Sequence, residues 1–110
     1  MPKNPATCTI AAGEALSSSV DLTSGMLAML FAPPSWNGAN VSFQVSPDGS
    51  HWADLVDDNG AEVTRTMLPG TAVPIDPELS EPALYVRIRS GHRNAPVEQP
   101  TDQTFTLVLI

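Results

Sequence analysis

The chain holds one cysteine, Cys8, in 110 residues. A lone thiol excludes an intrachain disulfide and a cysteine-built metal cage, and it suits synthesis in a reducing compartment. Basic residues are nearly as scarce: five Lys and Arg stand against twelve Asp and Glu, for a net charge of −7. They are scattered, which sets nucleic acid aside as a partner, because phosphate binding depends on grouped Lys and Arg. An anionic membrane surface is disfavoured on the same ground. The longest apolar run, Met26 to Pro34, falls far short of the roughly 20 residues that a membrane-spanning helix needs. The opening Met1-Pro2-Lys3-Asn4-Pro5 has no apolar stretch of the secretory kind. The expectation is a product made in the cytoplasm that leaves it only inside something larger. Charged residues make up 15% of the chain, fewer than the surfaces of helices usually carry.

What the chain has instead is alternation punctuated by turns. Leu84, Val86 and Ile88 alternate with Tyr85, Arg87 and Arg89, a period of two that puts aliphatics on one face of a strand and arginines on the other. Val41 to Ser46 and Thr104 to Ile110 repeat the pattern. Shorter candidates are Thr7 to Ile10, Leu16 to Leu22, Met26 to Ala32, Trp52 to Val56, Ala61 to Thr66 and Thr71 to Ile75, bounded by Gly, Pro, Asn and Asp. Breaks at intervals of roughly 8–12 residues point to an all-β fold, an antiparallel, jelly-roll-like sandwich of about eight short strands. Ser46-Pro47-Asp48-Gly49-Ser50 and Asp57-Asp58-Asn59-Gly60 read as tight reversals, which predicts a three-stranded meander from Val41 to Thr66. Asp76-Pro77-Glu78-Leu79 suits one helical turn, with Asp76 as its cap. Met1 to Pro5 reads as an arm outside a single domain, residues 6–110, and Gly91 to Gln103 as the longest irregular loop.

Few residues are placed for chemistry. Asp48, Asp54, Asp57, Asp58 and Asn59 are of the right type for Ca²⁺, but their spacing is not that of an EF-hand and their positions are those of turn formers. His51 and His92 stand far apart, without a third metal ligand or a nucleophile elbow beside them. They read as surface or hairpin-capping residues. No enzyme activity and no cofactor is implied. Trp36 and Trp52, with Tyr85 and Phe43, would serve a glycan-binding face; otherwise Trp52 reads as core, and Trp36, within Pro33-Pro34-Ser35-Trp36-Asn37-Gly38, is either a loop anchor or an exposed contact. Arg87 and Arg89 would meet acidic groups of a neighbouring subunit, or Glu62 or Glu81 of the same chain. Candidate contact residues are therefore Pro2, Lys3, Asn4 and Pro5 of the arm, Trp36, Arg87, Arg89, His92 and Arg93.

Three segments carry a resemblance: Ile10-Ala11-Ala12-Gly13-Glu14-Ala15-Leu16, the run from Val41 through Ser46-Pro47-Asp48-Gly49-Ser50-His51-Trp52 to Leu55, and Leu84-Tyr85-Val86-Arg87-Ile88-Arg89-Ser90-Gly91. In this order they resemble the opening strand, hairpin and late strand of small β-rich structural proteins of tailed bacteriophages. The resemblance implies a virion component: a capsid decoration (cement) protein, or a head-fibre, neck or tail accessory subunit. Its partners would be the major capsid protein or other virion subunits, with self-association, and with a glycan as the alternative ligand. It brings no active-site residues.

Overall fold

The computed structural model describes residues 3–79 and 83–110, and the alternation is realised there in ten short strands. They are Asn4–Ile10 (β1), Val20–Asp21 (β2), Leu27–Phe31 (β3), Val41–Ser46 (β4), Ala53–Asp54 (β5), Thr64–Arg65 (β6), Ala72–Pro74 (β7), Tyr85–His92 (β8), Ala95–Pro96 (β9) and Gln103–Leu109 (β10). One 3₁₀ turn, Pro77–Leu79, completes the regular structure. Its capping is as expected, with the Glu78 amide donating to Asp76 Oδ1 at 3.0 Å. There is no α-helix among the described residues.

The strands form two antiparallel sheets packed face to face. One has the order β1-β10-β3-β7, the other β2-β8-β4-β5, with β6 also on β4 and β9 on β8. The pairings are nested: β1 with β10, β2 with β8, β3 with β7, and β4 with β5 and β6. A long hairpin folded about its middle pairs in that way, and the contacts β10–β3 and β8–β4 roll it into two layers. This is the topology of a jelly roll, with β5 and β6 as halves of one interrupted strand and β9 as a local hairpin.

Burial follows the pleat. Along β10 the side chains of Gln103, Phe105, Leu107 and Leu109 are buried and those between them face outward. Cys8, Ile10, Leu27 and Leu30 complete the inner face of that sheet, and Val20, Val41, Phe43, Val86 and Ile88 line the facing one. Each such aliphatic or aromatic side chain contributes roughly 1.5–3 kcal/mol on burial. Leu84 lies before β8 and is exposed.

Four expectations change. The arm does not extend to Pro5: Asn4 and Pro5 belong to β1 and pair with Leu109 and Val108. Pro5 is tolerated because β1 is an edge strand. In β1, Thr9 turns its backbone away from β10, accepting from the Ser18 amide and donating to Ser18 Oγ. By strand parity Pro5 has the same orientation, so its missing N–H costs no rung. Met1 and Pro2 lie outside the described residues, as does Glu81.

The meander is also absent. After Asp57-Asp58-Asn59-Gly60 the chain does not lay a third strand beside β5 but returns to β4, where Val41 pairs with Arg65 and Ser42 with Thr64. The bridge Val56–Glu62 and the Val63 amide donating to Leu55 O pinch the reversal off as an excursion from one strand line. The segment Gly91 to Gln103 is likewise ordered into the sheet at its start, since β8 runs on through His92 and turns back as β9. Within that turn Gly91 takes φ +90°, and a Cβ there would stand 2.5 Å from Ala95 O, so only glycine fits.

Trp36 is 2% exposed and is no surface contact. Its ring meets Phe105 edge-on at 4.9 Å, and its Nε1 donates to Ala39 O at 2.9 Å. The loop that carries it is tied down by Gln103, whose Oε1 accepts from Ser35 Oγ and whose Nε2 donates to Ser35 O. Trp36→Ala therefore deletes an anchor between the layers, and a loss of about 3–5 kcal/mol is expected for such a truncation. Urea unfolding of the variant against wild type measures it.

Candidate functional site

The polar residues of interest converge on the outer face of the six-stranded sheet and the loop end beside it. Register explains the gathering. Ser42 pairs with Arg89, Gln44 with Arg87 and Gln44 with Asp54, so all of these point away from the core. Arg89 is nevertheless 5% exposed. Its Nη1 donates to Asp54 Oδ1 at 2.6 Å, its Nη2 to Glu62 Oε2 at 2.8 Å and its Nε to Ser42 Oγ at 2.9 Å. Ser42 Oγ in turn donates to Gly91 O. Glu62 also accepts from the Arg93 amide at 2.6 Å and lies 3.3 Å from His92 Nδ1. One guanidinium thus joins β4, β5, the excursion after Val56 and the β8–β9 turn.

Of the two alternatives for Arg89 the network realises the intrachain one: its acidic partners are Glu62, as expected, and Asp54 of its own chain. Arg87 differs. Its Nε donates to Gln44 Oε1 at 2.8 Å and its guanidinium lies 4.3 Å from the ring centre of Trp52. Partial burial, and then the positive charge of Arg89, pull its pKa below the usual arginine value. Trp52 is half-buried rather than core. It stands two residues before Asp54, and strand parity puts both on the outer face.

Asp48 and Asp57, of the acidic group singled out above, act as turn formers. Asp48 Oδ1 accepts from the amides of Ser50 and His51, and Oδ2 lies 2.6 Å from His51 Nδ1. Those two amides, in the order His51 then Ser50, and then the His51 ring, hold its carboxyl well below the usual range. Asp57 Oδ1 accepts from the amides of Asn59 and Ala61. No three His, Cys, Asp or Glu side chains converge as metal ligands among the described residues. Cys8 is buried, and burial pushes its thiol up to about 11.

Besides an acidic hollow of about 340 Å³ lined by Asp57, Asp58, Asn59, Asp76 and Glu78, two surfaces stand open. At the loop end a cleft of about 410 Å³ is lined by Gly13, Glu14, Ala15, Leu16, Arg89, Arg93, Pro96 and Glu98. On the outer face of the other sheet a shallow groove of about 280 Å³ is lined by Lys3, Ala28, Met29, Phe31, Val108 and Ile110. Of the contact residues expected from the sequence, Arg93 lines the cleft, with His92 before it in the chain, and Lys3 lines the groove. Arg89 lines the cleft too but is itself largely buried, and Trp36 is buried in the core. Asn4 and Pro5 serve the ladder. Glu62 is the intrachain partner expected for the arginines, whereas Gln99 had no signal in the sequence. Gln99 is a buried amide that donates to Ser90 Oγ at 2.8 Å and joins Gly13 and Glu14 through its backbone.

Arg89→Ala should cost about 3 kcal/mol, because it removes the buried guanidinium that holds the partly buried carboxylates of Glu62 and Asp54; thermal unfolding of the variant reads the loss. The pH dependence follows from Asp54, whose carboxyl is lowered chiefly by the hydrogen bond from Arg89, and from Asp48. Their folded-state values lie below the unfolded ones. The stabilisation is complete above the ordinary carboxylate value near 4 and drains as pH falls through the lower folded value. The melting temperature of wild type is therefore expected to drop below about pH 4, and Asp54→Asn should flatten that drop. Cys8 should resist alkylation at neutral pH until the chain unfolds.

A scan against protein-family models finds no match for this chain, and no curated protein matches it significantly.

Proposed function

We propose that the chain is a structural subunit of a bacteriophage virion, a decoration protein that binds the outer surface of the head and stabilises it. The observation that carries this reading is how the reactive side chains are used. Arg89, Glu62, Asp54 and His92 form one network across strands and turns, and Asp48 and His51 form a separate pair within a turn. Such groups hold a shape. What the surface then offers is contact area: an open cleft at one end and an uncharged sheet face. The resemblance of the Ile10, Val41 and Leu84 segments to phage structural proteins adds to this, and jelly rolls are common in viral coats.

On this reading the protein meets the head with its loop end, where Arg93 and Pro96 line the cleft beside the exposed part of the β8–β9 turn. The test is co-sedimentation with heads assembled from the major capsid protein encoded in the same genome. Wild type should pellet with the heads, and Arg93→Glu should weaken binding at least about tenfold with an unchanged melting temperature. Wild type remaining in the supernatant would remove the decoration role.

A second reading has one observation in its favour. Trp52, Tyr85, Gln44 and Arg87 share the outer face of the six-stranded sheet, an aromatic and hydrogen-bonding set of the kind that meets sugar rings. A glycan array that responds to wild type and not to Trp52→Ala would favour a host-contact module.

A further inference from the structure

The four-stranded sheet has a property that the other lacks: none of its strands contains a charged residue. Asn4–Ile10, Leu27–Phe31, Ala72–Pro74 and Gln103–Leu109 hold no Asp, Glu, Lys, Arg or His. The strands of the partner sheet include Asp21, Asp54, Arg65, Arg87, Arg89 and His92. In a chain with twelve carboxylates, an entire sheet has been kept free of them. Its outer face is Thr9 and Thr104, joined by a 2.9 Å contact between their hydroxyls, and then Met29, Phe31 and Val108 around the groove. Phe31 is 43% exposed. Thr7 and Thr106 lie on it as well by register, so the face is uncharged rather than wholly apolar, and freedom from charge is what marks the core of an interface.

We propose that this face is the self-association surface of the protein and that its occupant is the same face of a second copy, related by a twofold axis. Charge selects the occupant. Two copies at −7 each repel wherever their acidic loops meet, and here no strand brings a carboxylate to the contact. Among the residues lining the groove Lys3 alone has a charged side chain, and as a cation in an acidic protein it adds nothing to that repulsion. Geometry selects the mode. The sheet's two edge strands are β1 and β7, and each contains a proline, Pro5 and Pro74. Proline cannot donate to an added strand, so growth of the sheet from either edge is blocked. Face-to-face stacking, with sheets about 10 Å apart, is what remains.

Size sets the strength. Four strands about 4.8 Å apart and up to seven residues long cover roughly 400 Å² per copy, about half of the ~800 Å² per partner in a standard stable interface. The dimer is therefore reversible and concentration-dependent. The inference does not use the virion reading, and its test contains no heads.

Sedimentation velocity of the full chain from micromolar to millimolar concentration tests it. Wild type is expected to shift from monomer to dimer. Added NaCl should strengthen the dimer, since screening removes repulsion between like-charged copies and an uncharged contact loses nothing. Phe31→Asp should weaken association at least about tenfold by placing a carboxylate in the contact. Lys3→Glu, at an exposed position with little bearing on folding, should weaken it as well, and thermal melts confirm that each variant is folded. A wild type that stays monomeric to millimolar concentration overturns the proposal. So does any stoichiometry other than a dimer, or a dimer indifferent to both substitutions.

Discussion

The pairing of the first strand with the last is the constraint on which this sandwich depends. Asn4 to Ile10 and Leu109 to Gln103 run antiparallel in seven matched positions, and the three inner pairings lie within the loop they close. Each β1 residue that faces inward meets a β10 partner that also faces inward: Cys8 against Phe105, Ala6 against Leu107. The core layer of the four-stranded sheet exists only when the ends of the chain are together. Such non-local pairing makes the loop-closure entropy large and the folding slow in comparison with a helical bundle of the same length.

The second layer depends on a different kind of force. Its outer surface is stitched by Arg89, which holds two carboxylates and a serine from three separate stretches of chain. Replacing such a buried ion pair with apolar residues often leaves stability unchanged, whereas removing one partner is costly. The cluster is therefore best understood as a fixer of geometry: it sets where the Asp57 excursion and the β8–β9 turn lie relative to each other, and so shapes the cleft that Arg93 and Pro96 line.

The division between what the sequence showed and what it hid follows from the range of the interactions. Strands with clean alternation, such as Val41 to Ser46 and Thr104 to Ile110, were legible because burial acts on every second residue. The caps at Asp48 and Asp76 were legible because they act over two or three residues. The missing meander was not. Asn59-Gly60 does reverse the chain, but the partner of the next strand is chosen by the unpaired half of β4, which lies outside any local window. Trp36 was ambiguous for the same reason, since its burial depends on Phe105 and on the tether from Gln103, both distant in sequence. Among the candidate contact residues, Arg93 and Lys3 could be named from the sequence because exposed charges stand out. The uncharged face around Phe31 could not, because it is a property of four strands brought together by the fold.

The excursion at Asp57 to Gly60 separates length from architecture. Val56 and Glu62 close its base with their own bridge, so the strand line from Ala53 to Arg65 resumes on β4 in register whatever lies between them. The ladder does not count the residues above that neck. Each doubling of a flexible loop adds only about 0.6 kcal/mol of closure entropy, so the tip is a natural port for inserted sequence. A peptide grafted between Asn59 and Gly60 would be carried on a stalk, with its ends already held together by the sheet beneath.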